Sequence, residues 1–195
     1  MTDLQPKAQS MLDRLTAENN VRRVLADYCH GVDRKNWDLV RQCYHDDATD
    51  SHGAFNGTVP DLLQWMRDSH QHVSSSFHVL TNVRVMLTDD LQTAHTESYC
   101  MSFKEVSPGG FDAYATSATS LSRSARRTVA CRYVDHFEDR PGVGWRITSR
   151  VVAIDWIRRD DGEMFLPIDP SWTRSQRDRS DAFYAEVPAK EQVKR

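Results

Sequence analysis

The chain has 195 residues, a mass of 22.4 kDa and a net charge of −3, and 39% of its residues are hydrophobic. This composition predicts one ordinary soluble domain, and it excludes a largely disordered chain and a basic nucleic-acid-binding protein. No apolar run approaches the ~18 residues of a membrane span and no signal peptide is recognisable, so we expect a cytoplasmic protein without membrane association.

The first predicted element is a long amphipathic helix. Apolar residues recur at three- and four-residue steps over residues 21–32, with Arg22 and Arg23 on the other side. A weak capping box at Ser10 marks its beginning, and Gly31 is a typical helix stop. Asp33 is therefore expected just outside the helix, beside its last turn.

A short second helix is predicted over residues 37–44, followed by a short strand and turn over residues 48–56. A third helix begins after Thr58, because Thr58 can cap it and Pro60 suits its first turn. Asp61 is also favourable there, since a carboxylate is stabilised at the positive end of the helix dipole.

After residue 73 the hydrophobic period changes from 3.6 to 2. Alternation predicts long strands over residues 77–87, 91–106, 127–138 and 145–158, while residues 111–124 are either a mobile loop or an irregular strand. Helices followed by antiparallel strands predict an α+β fold: a curved antiparallel sheet, a cone or half-barrel, with three N-terminal helices closing one apolar cavity. Residues 1–160 would form this cone domain, and residues 161–195 an extension packing on the domain or on a neighbouring subunit.

Several residues at fixed spacing resemble one known group of proteins. The pattern comprises Tyr28 and Asp33, the segment 37–48 with its Trp-Asp and Asp-Asp-Ala motifs, Gly57, and the run 77–82 with its Phe-His and Asn. Over residues 15–158 the chain resembles the SnoaL-like branch of the nuclear-transport-factor-2-like superfamily. The spacing is most similar to its lyases: bile-acid 7α-dehydratase, scytalone dehydratase and hexachlorocyclohexane dehydrochlorinase.

The resemblance implies roles for four residues. In these lyases an Asp after the first helix holds a His on the first long strand, and the His removes a proton from carbon; Asp33 and His78 match these positions. Tyr28 matches a site tyrosine of the bile-acid enzyme, with core packing as an equal alternative. Arg150 falls near an arginine that serves the leaving group or an oxyanion, with a surface ion pair as the alternative.

Other residues are candidates for the cavity wall or for a second histidine. The positions expected to contact substrate are Tyr44, Met101, Tyr133 and Trp156, although plain core packing is also consistent with them. Whether His95 or His52 joins the site stays open. The four cysteines have no CxxC spacing, and the pattern predicts neither a metal site nor a bound cofactor.

The implied chemistry is proton abstraction from carbon. Elimination of water or halide needs a base for a C–H proton and help for the leaving group. A neutral imidazole suits the first task, and a carboxylate on its other nitrogen fixes the tautomer and stabilises the imidazolium. We therefore predict a cofactor-independent lyase of the dehydratase type, acting on a small hydrophobic ring substrate such as a steroid, a polyketide or an aromatic-derived compound.

Two other functions remain open at this point. A double-bond isomerase would use the same proton-transfer groups. A non-catalytic subunit or binding module, like the β subunit of ring-hydroxylating dioxygenases, would share the fold without the chemistry. The resemblance also implies a homotrimer or homodimer.

One feature of the sequence conflicts with the proposed pair. Simple alternation places His78 on the opposite face of its strand from Val83, Val85 and Leu87. If His78 lies inside the cavity, then either these apolar residues face outward, or a β-bulge separates His78 from Val83.

Overall fold

The computed structural model describes residues 4–110, 121–161 and 176–180. Its elements follow the chain as α1 (Leu4–Asp33), α2 (Trp37–Gln42), β1 (Tyr44–His52), β2 (Phe55–Thr58), α3 (Val59–Ser69), β3 (Val73–Leu87), β4 (Thr93–Val106), β5 (Ala125–Arg140) and β6 (Gly144–Asp161). Among the described residues, no helix is long and apolar enough to cross a lipid bilayer. Residues 111–120, and most of the predicted extension, lie outside the described ranges.

The strands form one six-stranded, curved and unclosed sheet in the order β2-β1-β6-β5-β4-β3. The predicted α+β fold is confirmed, with one difference: β1 pairs with β6 in parallel, so the sheet is mixed rather than fully antiparallel. These two strands are far apart in the sequence, so no hairpin fixes their relative direction. Extra residues in β3 and β6 shift their pairing with β4 and β5, and irregularities of this kind bend long strands.

Helix α1 ends later than predicted and begins earlier. It starts at Leu4, ahead of the expected capping box at Ser10, and it includes Asp33 as its last residue. Gly31 does not stop it; a Cβ atom there would lie 2.8 Å from Cγ2 of Val40. Gly31 is therefore explained by the close approach of α2 to α1, which leaves no room for a side chain.

The core lies between the concave face of the sheet and helices α1 and α3. Alternate residues of β5 enter it, as the period of two predicted: Val129, Cys131, Tyr133 and Phe137 are all buried. Helix α3 begins after Thr58 as expected, but the Thr58 hydroxyl donates to Asp61 Oδ2 at 2.7 Å and makes no cap bond to the backbone.

A bulge in β3 resolves the conflict over His78. The pairing of β3 with β4 shifts between Thr81 and Arg84, and Asn82 has a left-handed φ of 50°. The extra residue changes the parity of the strand, so that His78 lies on the same, inner face as Val83. Of the two alternatives, the bulge is the one that is confirmed.

Candidate active site

The last residue of α1 and the first part of β3 bring Asp33 and His78 together. These residues are 45 positions apart, and Asp33 Oδ1 lies 2.7 Å from Nδ1 of the His78 ring. The same oxygen accepts a hydrogen bond from the Ser76 hydroxyl at 2.9 Å, and Oδ2 accepts from the His78 backbone N–H at 2.8 Å. Three donors thus hold one buried carboxylate in a single orientation.

The electrostatics keep this carboxylate ionised. Burial by itself would raise the pKa of Asp33, but the His78 ring, the His78 backbone N–H and the Ser76 hydroxyl outweigh burial and hold the pKa below its ordinary value. An ionised acceptor at Nδ1 fixes the His78 proton on that nitrogen. The other ring nitrogen, Nε2, then carries the lone pair and can accept a proton.

A cavity of about 390 Å³ lies against this pair, between α1 and β3. Its size falls within the range of small-molecule sites in proteins. Most of its lining is apolar, and the complete set is Arg22, Leu25, Ala26, Cys29, His30, Asp33, His78, Leu80 and Val83. The pair therefore faces a space that suits an apolar ligand.

Arg177 fixes the end of the helix that carries Asp33. Its guanidinium is buried and donates to the carbonyl oxygens of Val32 at 3.0 Å, Asp33 at 3.1 Å and Val73 at 2.7 Å. The last carbonyls of a helix lack internal partners and form its negative end, where a cation is favourable. One side chain thereby ties α1 to β3, the two elements that supply the pair.

Arg150 lies in a second, fully buried cluster. Its Nε and Nη2 donate to the two carboxylate oxygens of Asp135 at 2.6 and 2.8 Å. The guanidinium carbon lies 4.1 Å from the ring centroid of Tyr28 and 4.2 Å from that of Tyr133. Among the described residues its remaining nitrogen, Nη1, has no acceptor.

The structure separates the predicted site residues into three groups: a pair at the cavity, a buried cluster, and two residues on the outer face of the sheet. Asp33 and His78 meet at the cavity. Tyr28, Tyr44, Tyr133 and Arg150 are buried together, but none of them lines that cavity. Arg150 does form an ion pair, but in the interior rather than on the surface.

Met101 and Trp156 are corrections to the prediction. Both lie on the outer face of the sheet, 38% and 48% exposed, in one row across β3–β6 in which Val79 pairs with Met101. Directly paired residues share a face, and Val79 is one position from His78, so this row faces away from the pair. The sequence showed that the residues of β4 alternate between two faces, but it did not show which of the two faces lies inward.

The two candidate histidines are also apart from the pair. His95 is exposed and stacks on His136, with ring centroids 4.7 Å apart. His52 is buried, with Nδ1 3.4 Å from Asp50 Oδ1, and it does not line the cavity beside Asp33. Within the described ranges, no group of three or more His, Cys, Asp or Glu side chains is arranged to hold a metal ion.

Two contributing residues were missed by the sequence analysis. Ser76 precedes His78 by two positions on a strand, so the period of two could have placed both side chains on one face. Arg177 gives no such signal, because its partners at residues 32 and 33 are 145 and 144 positions away. Only the tertiary structure reveals that contact.

Comparison with known proteins gives a family and a fold. No curated protein matches the sequence. A family model described as a SnoaL-like domain matches residues 13–151, which is most of the chain.

Solved structures agree with that match. A protein from Kribbella flavida is 17% identical, covering 74% of this chain and 95% of its own, with a TM-score of 0.59. A type 2 hexachlorocyclohexane dehydrochlorinase is 16% identical, covering 83% of this chain and 99% of its own, with a TM-score of 0.65. A protein from Novosphingobium aromaticivorans, provisionally assigned as a scytalone dehydratase, is 12% identical, covering 76% of this chain and 90% of its own, with a TM-score of 0.60. At these identities the likeness establishes a shared fold.

Proposed function

We propose that this chain, which belongs to the SnoaL-like domain family, is a cofactor-independent lyase of the dehydratase type. The observation that carries the proposal is the 2.7 Å contact between Asp33 Oδ1 and His78 Nδ1 at the wall of a largely apolar cavity. That arrangement supplies a general base beside a space for a hydrophobic substrate. The lyases among the similar folds are consistent with this reaction class.

In the proposed reaction His78 acts through Nε2. The lone pair on this nitrogen takes a proton from a substrate carbon, the C–H electron pair forms a carbon–carbon double bond, and the leaving group departs from the adjacent carbon. The imidazolium that forms is stabilised by Asp33, which stays ionised because its three donors outweigh burial. When hydroxide leaves, the proton taken by His78 completes a water molecule.

Arg150 and Tyr28 belong to a buried cluster, and the positive charge of Arg150 is also part of the proposal. The Arg150 guanidinium is a buried cation with one nitrogen lacking an acceptor among the described residues. Arg150 does not line the cavity beside His78, so its proposed effect acts at a distance: its positive charge favours the negative charge that develops on a leaving oxygen or halide. Burial raises the pKa of Tyr28 well above its ordinary value, so its hydroxyl remains protonated, and its ring packs against the Arg150 guanidinium at 4.1 Å.

The cavity lining indicates the substrate class. Leu25, Ala26, Leu80 and Val83 provide apolar walls close to the pair. We therefore assign a small hydrophobic ring compound, such as a steroid, a polyketide or an aromatic-derived compound, bound with the reacting C–H directed at His78.

The test is elimination measured by mass spectrometry on a panel of hydroxylated and halogenated ring compounds. We expect His78→Ala to reduce the rate by about 10²–10⁴-fold, the usual contribution of a positioned general base. Asp33→Asn should also be slow, since an amide cannot stabilise the imidazolium. His95→Ala is the matched control, because His95 is exposed on the outer face, and it should keep the wild-type rate. Wild-type turnover by His78→Ala would exclude the proposal.

An isomerase is the second candidate, because a base that removes a proton from one carbon can return it to another. His78 is held at Nδ1 by a carboxylate, so Nε2 would carry the proton in both directions. The product distinguishes the two reactions: a lyase product has lost water or hydrogen halide, whereas an isomerase product keeps the mass of its substrate.

A further inference from the structure

A second cavity, of about 480 Å³, lies where α1 passes into α2, beside the end of α3 and residues 177–179. We call it the basic groove, and its nine lining residues are Arg34, Lys35, Asn36, Trp37, Asp38, Arg67, Arg177, Asp178 and Arg179. Five of them are basic and two are acidic. The whole chain has a net charge of −3, so this concentration of positive charge runs against the overall balance.

We propose that the basic groove binds a phosphate or diphosphate group. Cations converging from three parts of the chain suit a ligand group with several charged oxygens, and arginine matches phosphate geometry through paired N–H donors. The groove is also much larger than a single carboxylate requires.

Two of its cations have no direct bonding partner. Within residues 4–110, 121–161 and 176–180, neither Lys35 nor Arg67 makes a hydrogen bond or an ion pair through its side chain. Burial, followed by the charge of Arg177, lowers the pKa of Lys35 and outweighs the opposing effect of the Asp178 carboxylate. An anion placed beside Lys35 would oppose both effects, since a nearby negative charge favours the ammonium form.

The backbone at Lys35 supports a role for its side chain. Asn36 N donates to Gly31 O at 2.8 Å and Lys35 N donates to Val32 O at 3.3 Å, which is the Schellman pattern at a helix end. The residue at this position is left-handed, and Lys35 has a φ of 52°. Glycine normally occupies it, because a side chain there costs roughly 1–2 kcal/mol. Strained backbone of this kind is concentrated at ligand sites.

Basic side chains also lie behind the groove. Arg177 Nη2 is 3.5 Å from Nδ1 of His70, and Nε2 of His70 is 2.9 Å from Nζ of buried Lys104. Burial lowers the pKa of His70 well below its ordinary value, so this ring is neutral. Burial and the charges of Arg127 and Arg177 lower the pKa of Lys104 to about 7. His70 and Lys104 therefore place no negative charge behind Arg177.

The groove adjoins the proposed active site along the chain. Asp33 lines the cavity beside His78, Arg34 lines the groove, and Arg177 holds the Asp33 carbonyl. A phosphate in the groove could therefore be a free anion, or it could belong to the ring substrate. This second reading rests on the proposed function, whereas the binding site itself does not.

The test is calorimetric titration of the full chain with inorganic diphosphate at low salt. We expect saturable binding that weakens as ionic strength rises. Lys35→Gly removes a cation and also relieves the backbone, so it should fold at least as well as the wild type. We expect Lys35→Gly and Arg67→Ala each to weaken binding on the order of tenfold, as the loss of a charge-assisted contact does.

Arg84→Ala is the matched control, because Arg84 is exposed on β3 and outside the groove; it should bind as the wild type does. His78→Ala should also bind normally, which separates failure of this proposal from failure of the proposed reaction. No binding of diphosphate by the wild type at millimolar concentration would overturn the site. Equal weakening by Arg84→Ala would also overturn it, since attraction would then come from net charge alone.

Phenyl phosphate distinguishes the two sources of the phosphate. If the group belongs to a ring substrate, phenyl phosphate should bind more tightly than inorganic phosphate and shift the NMR signals of Leu80 and Val83 in the apolar cavity. If the ligand is a free anion, both probes should bind alike and shift only groove residues. Absence of shifts at Lys35 and Arg67 with either probe would contradict the site.

Discussion

The candidate active site depends on one residue, Asp33. Its two carboxylate oxygens accept from Ser76 and from both the ring and the backbone of His78, while its own carbonyl is held by Arg177. The side chain and the backbone of Asp33 are thus held by different partners. If His78 acts as the proposed base, this arrangement holds it in place before a substrate binds, so little conformational entropy is lost on binding.

The lowered pKa of Asp33 predicts a pH dependence of stability. The folded-state pKa lies below the ordinary value of 3.8, so the contribution of this group is fully present above the unfolded-state pKa and is lost as pH falls through the folded-state pKa. We expect the free energy of unfolding of the wild type to exceed that of Asp33→Asn near neutral pH, and the difference to shrink below about pH 4. Urea denaturation over that range measures it.

Asp89→Asn provides the comparison, since Asp89 is an exposed turn residue. It should leave the pH profile close to that of the wild type. A constant gap between the wild type and Asp33→Asn at every pH would mean that the Asp33 contacts do not discriminate between the ionised and protonated forms.

At the scale of elements, the bulge in β3 determines which side chains reach the cavity. Without the extra residue near Asn82, His78 and Val83 would lie on opposite faces of the strand. The bulge depends on a left-handed residue, and asparagine tolerates that conformation better than most residues with a side chain. The position of His78, the proposed general base, relative to Val83 is therefore set by a backbone irregularity four residues away.

Substitution at Asn82 tests this dependence. We expect Asn82→Val to lower the free energy of unfolding by about 1–2 kcal/mol, because a β-branched residue is strained at a φ of 50°. Asn82→Gly should be neutral or slightly stabilising. Thr81→Val, next to it and also exposed, should change stability by less than about 0.5 kcal/mol. Urea denaturation of the three variants is the measurement, and equal losses for valine and glycine at position 82 would contradict the role of the left-handed backbone.

At the scale of the whole molecule, the outer face of the sheet carries many large exposed apolar side chains. Its exposed large side chains on β3–β6 share one face, and they include Phe77, Val79, Tyr99, Met101, Val134, Val151 and Trp156. Contiguous apolar patches of this kind mark interaction surfaces in soluble proteins. Met101 and Trp156, which the sequence analysis assigned to substrate, belong to this surface.

We therefore predict that the chain forms a homotrimer or homodimer through the outer face. Combining Met101→Glu with Trp156→Glu should yield monomers, because like charges would be buried against an apolar partner surface. Light scattering coupled to size-exclusion chromatography gives the mass directly. Val143→Glu alters an equally exposed apolar residue in the turn between β5 and β6, and it should not change the mass. A wild-type monomer would contradict the prediction.

The sequence by itself determined the element types, the α+β order and the identity of the Asp33–His78 pair. Hydrophobic period is a local property, since a helix repeats every 3.6 residues and a strand every two, so a short window reveals each element. The resemblance added the pair, because its residues stand at fixed distances from recognisable motifs. The contact itself was then found in the structure.

Only the tertiary structure decided the faces and the long-range contacts. The parity of β4 and β6 is ambiguous in the sequence because both faces of those strands carry apolar residues, one for the core and one for the outer surface. The parallel pairing of β1 with β6, the burial of Arg150 against Asp135, and the reach of Arg177 to the end of α1 join residues distant along the chain. Such contacts form because folding brings unsatisfied backbone and charged groups together in space, and no local pattern records which groups will meet.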